Sequence, residues 1–215
     1  MKGMPNLPPT RSVKISDDER GGWSSDRPRR DGAPPRPADV SVRNRTLAPA
    51  EDLRYSPGSL LLIISASTPE RDRFAERLIE HQSSLLSLGK VRGLLAGRVA
   101  EEDVESRATQ LLDAAVLKRL DANETVVIPV EGLEADERER YVRMAAALKR
   151  PRHLILLEVG RDQVEDEDRV ALNELRRRLD AGELGADGFH TALRLGGQSV
   201  GALRRIVFKP LPRED

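Results

Sequence analysis

The sequence predicts an α/β fold of three layers, with helices on both faces of a parallel β-sheet. Short apolar runs at residues 59–66, 125–130 and 153–159 are bounded by residues typical of turns. Longer segments at 101–122 and 134–149 carry apolar residues at intervals of three and four. Strands that alternate with amphipathic helices in this way are typical of a parallel sheet with helical crossovers.

The first predicted strand and helix have the clearest signals. The apolar run at 59–66 lies between Pro57-Gly58 and Thr68-Pro69-Glu70. Its unbroken apolar character predicts a strand that is buried on both faces. The hydroxyl, proline and acid that follow it stand in the order that favours a helix start.

The other elements are predicted from shorter patterns. Residues 84–88 predict a weak second strand, and residues 165–181 predict the last long helix. Two short apolar pieces follow at 192–195 and 205–208. Pro129 lacks a backbone donor, so we expect strand pairing to end near it.

Composition excludes several kinds of site and favours a soluble protein. The chain has no cysteine, which excludes disulfides, thiolate catalysis and cysteine-based metal sites. Lys+Arg and Asp+Glu are both 36, so no net field attracts a nucleic acid or a membrane. The longest strongly apolar run, 60–64, is far too short to span a bilayer. We therefore expect a cytoplasmic protein, and the excess of arginine over lysine hints at a GC-rich bacterial genome.

Residues 1–52 are predicted to be a disordered tail, followed by one domain at 53–215. Eight of the fourteen prolines lie before residue 50, and residues 21–38 show no hydrophobic periodicity. Such a segment buries too little apolar surface to offset the entropy of ordering. Two interpretations stay open, a solvated linker or a basic docking segment. The arginines that suggest the second are Arg27, Arg29, Arg30 and Arg36.

The order of elements over residues 59–208 resembles the P-loop kinases of the polynucleotide-kinase type. The stretches that carry the resemblance are 60–78, 90–97, 125–138, 154–162 and 187–189. The first of them is similar to that family's strand, phosphate loop and first helix. The resemblance implies a P-loop-NTPase-like, AAA/kinase-like fold, in which ligands lie at the carboxyl ends of the strands.

The phosphate loop departs from the pattern of that family. A working loop has the form G-x-x-x-x-G-K-[ST], whose backbone N–H groups and lysine surround phosphate while the hydroxyl holds Mg²⁺. The aligned stretch here is Ser65-Ala-Ser-Thr-Pro-Glu-Arg-Asp72. Ser65 and Glu70 replace the two glycines. Arg71 replaces the lysine, and Asp72 replaces the hydroxyl residue.

No catalytic residue is predicted, but five residues are candidates for binding. The candidate anion contacts are Arg71, Arg92, which matches a basic residue of the family, and Arg161, which lies near the lid position. Glu131 and Glu158 follow predicted strands, which makes their carboxylates a candidate Mg²⁺ site at the sheet edge. The plainer interpretation of each residue is a surface or ion-pair role.

The sequence therefore predicts a pseudoenzyme, a P-loop-kinase-like scaffold that acts in protein interaction or assembly. We expect an unidentified protein partner, no membrane partner and no cofactor. Two alternatives stay open. One is a phosphotransferase that binds ATP and Mg²⁺ in a non-standard way through Arg71, Arg92 and a lid arginine. The other is a nucleic-acid-binding accessory protein that uses the Arg-rich tail.

Overall fold

The computed structural model describes residues 51–210, which form two parallel sheets and six α-helices, so the predicted α/β class is confirmed. The strands are β1 (Glu51–Tyr55), β2 (Leu60–Ser65), β3 (Val126–Pro129), β4 (Arg152–Leu157), β5 (Thr191–Leu195) and β6 (Leu203–Phe208). The helices are α1 (Thr68–Leu78), α2 (Leu88–Leu95), α3 (Glu101–Asp121), α4 (Ala135–Ala147), α5 (Asp168–Asp180) and α6 (Gln198–Ala202). The predicted tail lies outside the described residues up to residue 50.

The main sheet is parallel and has the strand order β3-β2-β4-β5. Strand β2 lies between β3 and β4, with Leu60 opposite both Val126 and Arg152. All six residues of β2 are buried, which explains its unbroken apolar sequence. The strand predicted at 84–88 is wrong in extent, because a single parallel bridge joins Leu85 to Val127 there.

Alternate residues of β2 point into two separate cores. Leu60, Leu62 and Ile64 pack against helices α3, α4 and α5 on one face of the main sheet. Leu61 and Ile63 pack on the other face against α1 and against the second sheet, formed by β1 and β6. Helices therefore cover both faces as predicted, while the second sheet was not predicted.

Strand β1 joins the domain two residues before the predicted boundary at 53. It pairs in parallel with β6, so that Leu53 lies opposite Ile206. The Asp52 carboxylate is only 7% exposed and forms ion pairs with Arg204 and Arg205, each at 3.0 Å. The folded domain thus includes Glu51 and Asp52, which the sequence placed in the tail.

The small sheet runs in the opposite direction to the strands of the main sheet. Strand β6 starts at Leu203, which directly follows α6. Val200 of α6 lines a cavity together with Leu157 at the end of β4. The small sheet therefore starts at the carboxyl edge of the main sheet. The Tyr55 ring lies at the opposite, amino edge, where its centroid is 4.5 Å from that of His153 near the start of β4. Strand β1 therefore ends where β2 begins, and the short segment 56–59 connects them.

Gly58 makes this short connection feasible. Its φ of +71° lies in the left-handed region, which a residue with a side chain rarely adopts. A Cβ at this position would also lie 2.2 Å from Oδ1 of Asn123. The turn between β1 and β2 therefore requires glycine both for its backbone conformation and for its close approach to the end of α3.

The helices of residues 51–210 include none that combines the length and the apolar character needed to cross a membrane.

His153 is a buried histidine that connects the two sheets. Its side chain is 7% exposed, its Nδ1 lies 2.8 Å from the Thr191 hydroxyl, and its ring stacks on Tyr55. Among the described residues, Nε2 has no hydrogen-bond partner. Burial lowers the pKa of His153 to about 3, and the nearby charges of His190 and Arg152 act in the same direction.

We expect His153 to make the domain less stable in mild acid. Its pKa is lower in the folded chain than the ordinary value of 6.5, so it contributes full stability above pH 6.5 and loses it as the pH falls toward 3. The free energy of unfolding should fall by about 1.4 kcal/mol per pH unit below 6.5 through this group alone. Urea unfolding at pH 7.5 and 5.5 measures the difference.

The matched comparison uses His153→Gln, which should lose this part of the pH dependence. His81→Gln replaces an exposed histidine and should retain it. Equal pH dependence in the wild type and His153→Gln would show that burial of His153 does not control acid stability.

Candidate functional site

The carboxyl edge of the main sheet contains a crevice at the point where the chain switches faces. Strand β2 leads into α1 on one face, whereas the neighbouring β4 leads into α5 on the other. Ligands of open α/β sheets bind at such switch points. The crevice measures about 450 Å³, within the usual range for ligand sites. Its lining includes Glu70, Arg73, Phe74, Leu157, Gly160 and Val200.

The turn from β2 into α1 uses its own polar groups to hold its shape. The Ser67 N–H donates to the Ser65 hydroxyl at 3.2 Å, and the Arg71 N–H donates to the Ser67 carbonyl at 3.0 Å. Pro69 lies in the first turn of α1 and has no N–H. The helix starts one residue earlier than the sequence predicted, because Ser67 is the N-cap and Thr68, the expected cap, is already helical.

The Arg71 side chain lies inside the protein rather than at the crevice. It is 2% exposed, and its Nη1 donates to the Val130 carbonyl at 2.5 Å. Its Nε and Nη2 both contact Oδ1 of Asp72, at 2.9 and 2.8 Å. All three guanidinium nitrogens are therefore engaged, and Arg71 fastens the start of α1 to the segment that follows β3.

Arg92 is held between two carboxylates. Its Nη1 lies 2.7 Å from each carboxylate oxygen of Glu131, and its Nε and Nη2 lie 2.6 and 2.8 Å from Glu105. These contacts join α2 to α3 and to the segment after β3. The hydrogen bonds that Arg92 donates to Glu105, and those that it donates to Glu131, raise the pKa of Arg92 above its ordinary value.

Glu158 follows β4 and is held by two arginines. Its carboxylate is 15% exposed and accepts from Nε of Arg176 at 2.9 Å and from Nε of Arg194 at 2.5 Å. Burial alone would raise the pKa of Glu158, but Arg176 and Arg194 outweigh burial and hold that pKa below its ordinary value. The carboxylate therefore stays charged at neutral pH.

The two predicted metal ligands follow strands that are not neighbours. Glu131 follows β3 and Glu158 follows β4, and β2 lies between these strands, which places them about 10 Å apart. Each carboxylate is paired with arginine. Residues 51–210 contain no cluster of three or more His, Asp or Glu side chains suited to a metal ion. The joint Mg²⁺ site stays a prediction.

Arg161 also lies at the carboxyl edge of the main sheet, on the side opposite the crevice. It belongs to a short 3₁₀ turn, Arg161–Gln163, and is exposed. It lines a second cavity of about 360 Å³ together with Arg169, Arg176 and Arg194. Arg92 instead lines a groove between α2 and α3. The three predicted anion contacts thus occupy different surroundings, one buried, one paired with acids and one exposed.

The sequence did not predict which residues pair with Glu158 at this edge. Arg176 and Arg194 hold Glu158, but they belong to α5 and β5, and no local pattern connects them to it. One sequence feature does indicate the close approach of β5 to Glu158. Gly196-Gly197 predicts a turn, and a Cβ on Gly196 would lie 2.8 Å from the Glu158 Cβ. Glycine at 196 is therefore required for β5 to end beside Glu158.

The sequence matches no known protein-family model, and no curated protein is significantly similar to it.

We expect Arg71→Ala to destabilise the domain rather than to change a surface. The substitution leaves the Val130 carbonyl without its charged donor and opens a cavity beneath α1. The free energy of unfolding should fall by roughly 2–3 kcal/mol. Urea denaturation measures this loss.

Arg73→Ala is the matched control. Arg73 lies two residues after Arg71 on the same helix, and its side chain is 70% exposed. Its effect should stay within about 0.5 kcal/mol. Equal and small losses for the two variants would contradict the buried position of Arg71.

Proposed function

We propose that this chain is a catalytically inactive scaffold of the P-loop-kinase-like type that acts in protein interaction or assembly. The observation that carries the proposal is the position of Arg71. It stands where the family has its phosphate-binding lysine, yet its guanidinium is buried and bound to Val130 and Asp72. A cation that fastens helix to sheet in this way is not presented to a ligand.

The backbone of the same turn supports the proposal. A phosphate loop needs several free N–H groups that point at one anion. Here the N–H groups of Ser67 and Arg71 already donate within the turn, and Pro69 has none. Glu70 and Asp72 add two carboxylates at the start of α1, where they repel phosphate.

The preserved order of elements supports the scaffold part of the proposal. Numbered along the chain from β2, with the Leu85 bridge counted as the second strand, the order across the main sheet is second, third, first, fourth, fifth. The predicted strands at 59–66, 125–130, 153–159 and 192–195, with the Leu85 bridge, therefore contribute to one sheet. A fold that persists while its phosphate-binding groups are replaced favours a role in interaction over phosphate transfer, although a fold alone does not fix a function.

Two exposed apolar side chains are the contact points that this proposal would use. Leu94 on α2 is 64% exposed, and Val170 on α5 is 78% exposed. The fully buried core of a protein interface is more apolar than the rest of the surface, so burial of these two side chains against a partner would stabilise a complex.

A non-standard nucleotide-binding phosphotransferase is the second candidate. The observation that favours it is the cavity lined by Arg161, Arg169, Arg176 and Arg194. Glu158 already pairs with two of these arginines, and Asp166 pairs with Arg169 at 2.8 Å. The cavity therefore offers less positive charge than its arginines suggest. The nucleic-acid alternative rests on the Arg-rich tail, which lies outside the described residues, and stays a prediction.

We expect the protein to bind ATP no more tightly than about 1 mM in the presence of Mg²⁺, and to show no turnover of ATP or GTP above background. Buried Arg71 and the carboxylates around it are the physical reason. Calorimetric titration at low salt and a phosphate-release assay measure the two quantities. A dissociation constant near 1 μM that weakens in Arg161→Ala and Arg169→Ala would support the phosphotransferase instead.

We expect protein partners to be retained on the immobilised full chain without added nucleotide. Leu94→Lys or Val170→Lys should reduce the retention of specific partners at least severalfold, because each places a charge in a contact that should be dry. Lys118→Glu, on an exposed position of α3, is the control. Release of the retained proteins by nuclease treatment would favour the nucleic-acid alternative, and release by ATP would favour the phosphotransferase.

A further inference from the structure

Helix α3 presents apolar side chains to solvent on its outer face. The helix packs its inner face into the core on one side of the main sheet. On the outer face Leu111 is 51% exposed and Leu117 is 43% exposed, and exposed Ala114 lies midway between them. Leu111 and Leu117 are two of the four large apolar side chains that are exposed among residues 51–210. Their burial against a partner is favourable, because they form a patch rather than isolated exposures.

An arginine and an aspartate stand at the two ends of this patch. Arg107 lies seven residues before Ala114, and Asp121 lies seven residues after it. Intervals of three, four and seven residues keep all these positions on one face of a helix. Arg107 and Asp121 are both exposed, and neither side chain forms an ion pair or a hydrogen bond within residues 51–210. Arg107, Leu111, Ala114, Leu117 and Asp121 together form the α3 stripe, which is about 21 Å long.

The α3 stripe is complementary to a second copy of itself. Leu111 lies three residues before Ala114, and Leu117 lies three residues after it. When two copies of α3 pack antiparallel with their Ala114 residues at the centre, Leu111 of each copy lies level with Leu117 of the other. Arg107 of each copy then lies level with Asp121 of the other. Two-fold symmetry makes each of these contacts occur twice.

The charges at the ends select the occupant and its direction. A parallel arrangement would place Arg107 beside Arg107 and Asp121 beside Asp121, and like charges repel. A different protein would have to supply an acid and a base at this same separation. A second copy of the chain supplies both by symmetry.

The remaining polar residues of this face are compatible with the antiparallel contact. Gln110 and Lys118 lie at the margins of the α3 stripe, each four residues from Ala114, and both are exposed. In the same arrangement Gln110 of each copy lies level with Lys118 of the other, so that an ammonium group can donate to an amide oxygen. The small side chain of Ala114 lets the helix axes approach to the usual distance of about 8–10 Å.

We infer that this chain forms a two-fold symmetric homodimer through the α3 stripe, with the two copies of α3 antiparallel. Leu111 and Leu117 form the apolar centre around Ala114, and Arg107 pairs with Asp121 at both ends. The α3 stripe is short for a specific interface, so we expect a dimer that dissociates at micromolar concentrations. The dimer does not depend on the proposed scaffold function, whose contact residues lie on α2 and α5.

Charge reversal on the full chain tests the dimer and its direction. Sedimentation equilibrium from about 1 μM to about 1 mM measures the dissociation constant. Arg107→Asp or Asp121→Arg places like charges at both ends, and each variant should weaken dimerisation roughly tenfold. Both substitutions in one chain restore opposite charges and should restore the wild-type dissociation constant. Arg143→Asp makes the same charge change at a position of α4 that is 71% exposed, and it should have no effect.

A mixture of the two single variants separates charge repulsion from misfolding. One variant then carries aspartate at both ends of its α3 stripe, and the other carries arginine at both ends. We expect the equimolar mixture to form heterodimers about as readily as the wild type forms homodimers. Unfolded chains would not recover association on mixing.

The apolar part of the α3 stripe has its own matched control. Leu111→Lys with Leu117→Lys should abolish dimerisation, whereas Leu94→Lys, on α2, should leave it unchanged. Since Leu94→Lys is expected to release protein partners, loss of partners and loss of the dimer can be told apart.

Three outcomes would overturn the inference. The first is a wild-type chain that stays monomeric over the whole concentration range. The second is a dimer that the substitutions in the α3 stripe leave unchanged, which would place the contact on another surface. The third is a double charge reversal that dimerises as poorly as the single variants, which would exclude the antiparallel pairing of Arg107 with Asp121.

Discussion

The buried guanidinium of Arg71 is the contact on which the carboxyl edge of the domain depends. It joins α1, which covers one face of the main sheet, to Val130, which follows the edge strand β3. A charge inside a protein is tolerated only when its donors are satisfied, and here each nitrogen has an oxygen partner. The side chain that fixes the geometry of this edge is thereby withdrawn from any ligand.

The same arrangement recurs at the other charged positions of the edge. Arg92 joins Glu105 and Glu131, and Arg176 with Arg194 encloses Glu158. Arginine suits this role because its planar group forms two parallel hydrogen bonds with one carboxylate. An edge that commonly receives a substrate is in this chain occupied by ion pairs between its own elements.

Local patterns were sufficient to predict elements whose signals lie within a few residues. Strand β2 and the start of α1 were predicted almost to the residue, because an apolar run and a Thr-Pro-Glu start are local signals. Strand β1 was missed, since three of its five residues are charged, and one of these, Asp52, finds its partner only in Arg204 of β6, about 150 residues later. Helix α2 was missed as well, and its Ser87 cap lies inside the segment predicted as a strand.

Side-chain partners were the least predictable part of the site. The sequence identified Arg71 as the residue that replaces a lysine, but Val130 lies 59 positions away and contributes only a backbone oxygen, which carries no sequence signal. Glu131 and Glu158 were correctly placed after strands. Their arginine partners come from other elements and become visible only when the chain is folded.

The pairing of β1 with β6 also determines when the domain can be completed during synthesis. Strand β1 is made first among the described elements, yet its partner ends at Phe208. On the ribosome, Leu53 and Tyr55 therefore stay without their packing partners until nearly the whole domain has emerged, and the core between the two sheets closes last. Contacts between such distant residues form slowly because a long loop must close first. The nascent domain consequently carries an unpaired strand for most of its synthesis.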